Sequence, residues 1–126
     1  MPTAAPSAEH FLSRQETDLF VISQTLLGIG GVVNSDTVRS EGNNSVQVAV
    51  RSDRTFTVRT FDSNDGTNWI LSDIEASALD AVSGESVVRM SVGITARFSR
   101  VQITNTSGVA MTTFDARSYL IPHGGL

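Results

Sequence analysis

The sequence predicts an all-β fold: a single antiparallel β-sandwich, jelly-roll or immunoglobulin-like, with an extended N-terminal arm. Three observations carry that expectation. Apolar residues recur at every second position in several separate segments, those segments are rich in β-branched residues and threonine, and turn-forming residues sit between them. A chain of 126 residues suits one such domain, large enough to bury a core and too short for two comfortable ones.

In chain order, residues 1–17 form a compositional zone of their own, with Pro2, Pro6, alanines and small polar residues that bury too little apolar surface to fold alone. Ser13 and Glu16 have capping-box spacing, which suits an extended or partly helical segment there. This zone is read as an arm, and residues 18–126 as the sandwich. Period-two patterning then begins. After the apolar run of Leu19, Phe20, Val21 and Ile22, Val46, Val48 and Val50 alternate with polar or small neighbours. Phe56 and Val58 follow, then Val88, Met90 and Val92, then Val101 and Ile103, and finally Phe114, Ala116 and Leu120. Between them stand EGNN at 41–44, SDR at 52–54, NDG at 64–66, SG at 83–84 and NTSG at 105–108, all turn chemistry. One segment breaks the period: DIEASALDAV, residues 73–82, has an N-cap aspartate and a following Ser-Gly, and is the one helical candidate, though its apolar positions fit a helical face only loosely.

Composition excludes several functions. The chain has no cysteine, which removes disulfides, thiolate metal sites and cysteine nucleophiles together. A net charge of −4 argues against a sequence-independent nucleic-acid binder, and no apolar run approaches the roughly 20 residues that a membrane-spanning helix needs. No secretory signal is visible at the start, so synthesis in the cytoplasm is expected. All basic residues other than the histidines are arginine, the side chain best suited to planar contacts at interfaces.

The candidate chemistry is sparse. LGIGGVVN at 27–34 resembles a phosphate loop only superficially, because Val33 stands where GxGxxG requires glycine and no Gly-Lys-Ser/Thr follows. His10 and His123 lie near opposite ends of the chain, without a local triad or ligand cluster. The sequons at Asn43 and Asn105 are expected by chance in a chain rich in asparagine, serine and threonine. FDSNDGTNW, residues 61–69, is the most pointed stretch. An EF-hand register fails, since Gly66 as the sixth loop position puts Phe61 at the first. A looser ligand loop could use Asp62, Asn64 and Asp65, and a sugar site would add Asn68 and Trp69. The simpler reading is a hairpin turn, because Asn and Gly tolerate positive φ, with Trp69 folding back over the sheet. No catalytic residue, metal ligand or cofactor is predicted, and the chain is read as a non-enzyme.

FDSNDGTNW together with ARFSRVQI at 96–103 resembles a strand pair of discoidin-like, galactose-binding-type β-sandwiches. The same pair, continuing through ITNTSG at 103–108 and TTFDARSYL at 112–120, also resembles small β-sandwich modules of tailed-phage virion proteins. Discoidin-like lectins commonly carry a terminal disulfide and long binding loops, whereas this chain has no cysteine and short loops, which favours the virion-type module. That resemblance implies a capsid decoration (cement) protein that binds the head lattice as a homo-oligomer, with a trimer favoured. Its partners would be the major capsid protein or another virion protein, and its place the virion. The arm would reach a neighbour through Phe11, Leu12 and Phe20. The alternative is a carbohydrate-binding, receptor-binding module using Asp62, Asn64, Asp65, Asn68 and Trp69.

Overall fold

Ten strands organise residues 19–122, the part of the chain that the computed structural model describes, and no helix occurs among them. Sheet one has the order β1 (Leu19–Phe20), β10 (Phe114–Pro122), β4 (Asn43–Ser52), β8 (Ser86–Gly93) and β7 (Ala78–Leu79). Sheet two has the order β2 (Val32–Asn34), β9 (Phe98–Asn105), β5 (Phe56–Ser63) and β6 (Ile70–Ala76), and β3 (Val38–Arg39) also pairs with β9. Every pairing is antiparallel. The chain passes repeatedly from one sheet to the other, and β5–β6 and β7–β8 are the consecutive strands that pair directly with each other. The all-β sandwich predicted from the alternation is the observed architecture.

The period-two pattern decides which residues meet in the middle. Val46, Val48 and Val50 of β4, Val88 and Met90 of β8, and Ala116 and Leu120 of β10 are buried on one side. Phe56 and Val58 of β5 and Val101 and Ile103 of β9 face them across the sandwich, with Val58 and Ile103 fully enclosed. Residues between them, such as Arg51, Arg89 and Arg117, stand on the outer surface, as a half-buried sheet requires. Ile22, Leu27 and Met111 close the core from connecting segments.

Backbone groups that lack a strand neighbour find side chains instead. β1 ends at Phe20, and the Gln24 amide then replaces it along β10: its Nε2 donates to Ala116 O at 2.7 Å and its Oε1 accepts from Ala116 N at 2.9 Å. The glycine stretch makes a turn and then enters β2, with Gly31 N donating to Gly28 O at 2.9 Å. This turn is clasped by Asn105, which is only 2% exposed. The Asn105 Nδ2 group donates to Leu27 O (3.2 Å), Gly28 O (3.0 Å) and Val109 O (2.9 Å), so its two hydrogens serve three carbonyls. Its Oδ1 accepts from Ser107 N at 2.9 Å and Ser107 Oγ at 2.8 Å. The Asn105 sequon is therefore spent inside the fold.

The helical reading of residues 73–82 is corrected. Ile70–Ala76 is β6, Ala78–Leu79 is β7, and a turn follows. The preceding hairpin turn delivers the chain alongside β5, which pairs Thr57 with Ala76 and Asp62 with Ile70, so the backbone hydrogen bonds are already assigned to a sheet. Asp80, expected inside the helix, instead caps the turn: Val82 N donates to its Oδ1 at 3.3 Å and Ser83 Oγ to its Oδ2 at 2.7 Å. These contacts, Ser83 Oγ first, hold the Asp80 carboxyl below its ordinary value.

The arm at residues 1–17, with Phe11 and Leu12, and both histidines lie outside the described residues. Phe20, assigned to the arm's contact surface, pairs with Ser118 in β1, at the edge of sheet one.

Candidate functional site

The loop between β5 and β6 contains Asn64, Asp65, Asn68 and Trp69 of the predicted ligand loop, whereas Asp62 lies within β5. Ser63 ends β5, Gly66 takes φ 76°, and Trp69 leads into β6 at Ile70. Only glycine adopts that φ without steric cost, which explains Gly66 at the apex. Asp65 turns inward on the loop: its Oδ1 accepts from Ser63 Oγ (2.9 Å), Thr67 N (2.8 Å) and Asn68 N (2.8 Å), and its Oδ2 from Asn68 Nδ2 (2.7 Å). Ser63 Oγ in turn accepts from Gly66 N at 2.9 Å. The Asn68 N–H first, then Thr67 N–H and the Asn68 and Ser63 side chains, hold the Asp65 carboxyl well below the usual carboxylate range. Asp62 is placed elsewhere, accepting from Thr95 Oγ1 at 3.1 Å on the connection between β8 and β9. Asn64 is exposed. The loop therefore closes on itself: the carboxylate that would bind a cation or sugar is occupied by four donors of its own turn.

Trp69 folds back over the sheet as expected, and the structure adds its partner. The Arg100 guanidinium carbon lies 4.8 Å from the Trp69 ring centroid and 5.2 Å from that of Phe61. Arg100, on β9, sits directly opposite Phe61, and Trp69 immediately precedes the neighbouring strand β6, so three adjacent chain segments converge on one cation. Contacts of this length between guanidinium and ring are favourable, most of all with tryptophan. Sequence reading missed Arg100. Its position in the alternating ARFSRVQI segment marks it as outward, but only the β5–β9 register puts Phe61 across from it.

The register also defines the outer surface of sheet two. Arg59 of β5 lies opposite Gln102 of β9 and Ile74 of β6, one step along from the Phe61, Arg100 and Leu71 row. Gln102 Nε2 donates to Asn34 Oδ1 at 3.1 Å across the β9–β2 pair. Leu71 and Ile74 are about half exposed, and all seven residues of β6 are open to solvent. Beyond β6, Leu79 and Val82 continue the exposed apolar series, Val82 at 96%.

The outer surface of sheet one has a different electrostatic character. A shallow depression of about 390 Å³ there is lined by Arg51, Arg89 and Arg117 together with Asp80 and Asp115. Arg117 Nε pairs with Asp115 at 3.2 Å and Arg51 with Glu85 at 3.6 Å, so charge is neutralised locally. Among the described residues, no group of three or more histidine, cysteine or acidic side chains is arranged to hold a metal ion.

No protein-family model and no curated protein matches this sequence. Solved structures do share its architecture. The PBSX exported protein XepA superposes with a TM-score of 0.67 at 14% identity, over 80% of this chain and 36% of that one. The Yersinia pseudotuberculosis-derived mitogen gives 0.54 at 13% identity, over 79% of this chain and 84% of the mitogen. PirA gives 0.54 at 14% identity, over 79% and 92% of the respective chains. At these identities the likeness is one of fold, and the chain spans little more than a third of XepA.

Proposed function

We propose that this chain is a structural virion protein, a capsid decoration or cement protein that binds the head lattice as a homo-oligomer, a trimer by preference, and stabilises it. The observation that carries the reading is the segment from β6 to Val82. It is an edge strand exposed along its whole length, followed by further exposed apolar residues, five in all: Ile70, Leu71, Ile74, Leu79 and Val82. Exposed apolar residues at a sheet edge mark a protein contact, with Leu71 and Ile74 on the outer side of sheet two, and an open strand edge offers backbone hydrogen bonds to the same partner. The fold likeness to XepA, a phage-related protein, supports the same direction. An arm at residues 1–17 would add reach, and repetition over a lattice would turn weak contacts into firm attachment.

The decisive measurement is mass spectrometry of gradient-purified particles of the phage or prophage that encodes the chain. The reading requires the chain in the heads at a fixed ratio to the major capsid protein, and heads without it should rupture at a lower temperature. Its absence from purified particles would overturn the proposal. The exposed Asn64 and Asn68 beside Trp69 favour one competing reading, a carbohydrate-binding module. A glycan array decides that question: micromolar binding that is lost in Asn68→Ala, by a chain missing from the particles, would replace the virion reading.

A further inference from the structure

Eight of the nine arginines lie in the described residues, and they divide into two kinds. Arg39, Arg51, Arg54, Arg97 and Arg117 each have a carboxylate within ion-pair distance. Arg89 stands near Asp80 and contributes to lowering its pKa. Arg59 and Arg100 have neither an ion pair nor a hydrogen bond among the described residues, and the buried Nε of Arg100 has no partner. Both lie on the outer surface of sheet two, as diagonal neighbours across the β5–β9 pair. The strand register puts no carboxylate on that surface: Asp62, Asp73 and Glu75 all share the inward side with Ser99, Thr60 and Val58. Glu41, paired with Arg39 beside Phe98, and Asp65, held by its own turn, border this surface, and among the described residues no carboxylate pairs with Arg59 or Arg100.

We infer that the outer surface of sheet two is a docking surface for an acidic protein partner, with Arg100 as its fork and Arg59 beside it. The Phe61 and Trp69 rings hold the Arg100 guanidinium in place and its Nε is buried, so two-point recognition of a carboxylate falls to the terminal Nη groups. Fixing the side chain in advance reduces the entropy lost on binding. The surroundings select the class of partner. Leu71 and Ile74 flank the cations with exposed apolar surface, and a Trp–Arg–aliphatic mixture is the composition of protein interface centres. A polyanion backbone would instead require many free cations in a row, and this surface has two without an ion pair, Arg39 being held by Glu41. The partner thus presents an Asp or Glu set among apolar side chains. The inference shares Leu71 and Ile74 with the virion reading, but the peptide titration below tests it without virus particles, so the two can fail separately.

Trp69 is the single tryptophan and lies against the proposed fork, so the protein carries its own reporter. The full chain is titrated with a tryptophan-free peptide that carries glutamates among leucines, and with the same peptide carrying glutamine instead. Trp69 emission and the NMR resonance of the Arg100 Nε–H are followed. The glutamate peptide should move both signals saturably and the glutamine peptide neither. Arg100→Lys, which keeps the charge but loses the fork, should weaken binding by about tenfold or more. Arg59→Gln should weaken it by a smaller factor, and it carries the test alone if Arg100→Lys fails to fold. Unmoved signals at millimolar peptide, or equal response to both peptides, would overturn the inference. Tighter binding of heparin or polygalacturonate than of the peptide would also overturn it, by giving the surface to an acidic polysaccharide.

Discussion

Asp65 and Asn105 each organise a turn built from serine, threonine, asparagine and glycine, and each accepts or donates at least four hydrogen bonds. They differ in reach and in burial. Asp65 bonds only to residues within three positions of itself and is exposed. Asn105 is buried and joins segments 77 and 78 positions apart, bringing the glycine turn at Leu27 and Gly28 onto the end of β9. The same residue types thus close a loop on itself in one place and fasten the sandwich in the other. The lesson is that composition identifies a turn, whereas burial decides whether the turn bears on global stability.

Breaking the buried turn should have the largest effect. Asn105→Ala removes five hydrogen bonds in an enclosed site and leaves a cavity, which should cost about 3 kcal/mol. A thermal melt should show a loss of roughly 10 °C. Gly31→Ala tests the same junction from its other side. A methyl group there would lie 3.0 Å from Gly28 O and 3.1 Å from Gly28 N, and denaturant titration should show a loss of about 2 kcal/mol. Gly66→Ala is the matching change in the exposed turn. Its methyl group would be 3.9 Å from the Phe98 ring, which is ordinary contact, so only the positive φ is penalised, by about 1 kcal/mol in the same titration.

The smallest effect belongs to charge. The Asp65 carboxyl is held low in the folded state by its turn, and that of Asp53 is held low by the Thr112 side chain, the Thr112 N–H and the Thr113 N–H. A depressed folded-state pKa stabilises above the ordinary carboxylate pKa near 4, and that stabilisation is lost as pH falls below it. The melting temperature should therefore decline below about pH 4. In Asp65→Asn the decline should be shallower, because the variant is already less stable at neutral pH and its profile meets that of the parent in acid. Identical pH profiles for the variant and the parent would show that the turn does not stabilise through its charge.

Much of the sandwich was legible because period two is a local signal. Val46, Val48, Val50, Phe56, Val58, Val101 and Ile103 are inward where the alternation puts them. The hairpin turn at 63–69 was legible for the same reason, since its bonds span three positions or fewer. Residues 73–82 misled because charges and alanines spaced along an exposed strand look like a loose helical face, and nothing in β6 is buried enough to show its period. The Asn105 clasp and the Arg100 contacts were invisible for another reason. Both depend on which strand lies beside which, and register is a property of the whole sheet.

β6 has one more consequence, for solubility. An open strand edge carrying Ile70, Leu71 and Ile74 is a template on which copies of the chain could stack into fibres. Laid antiparallel on another β6 about its centre, the strand would set Asp73 against Asp73 and Leu71 against Glu75. Like charges directly opposite are destabilising, and the apolar residues lose their match. The centred register is thus disfavoured by the strand's own charge, and Asp73 acts against one way for copies of the chain to stack.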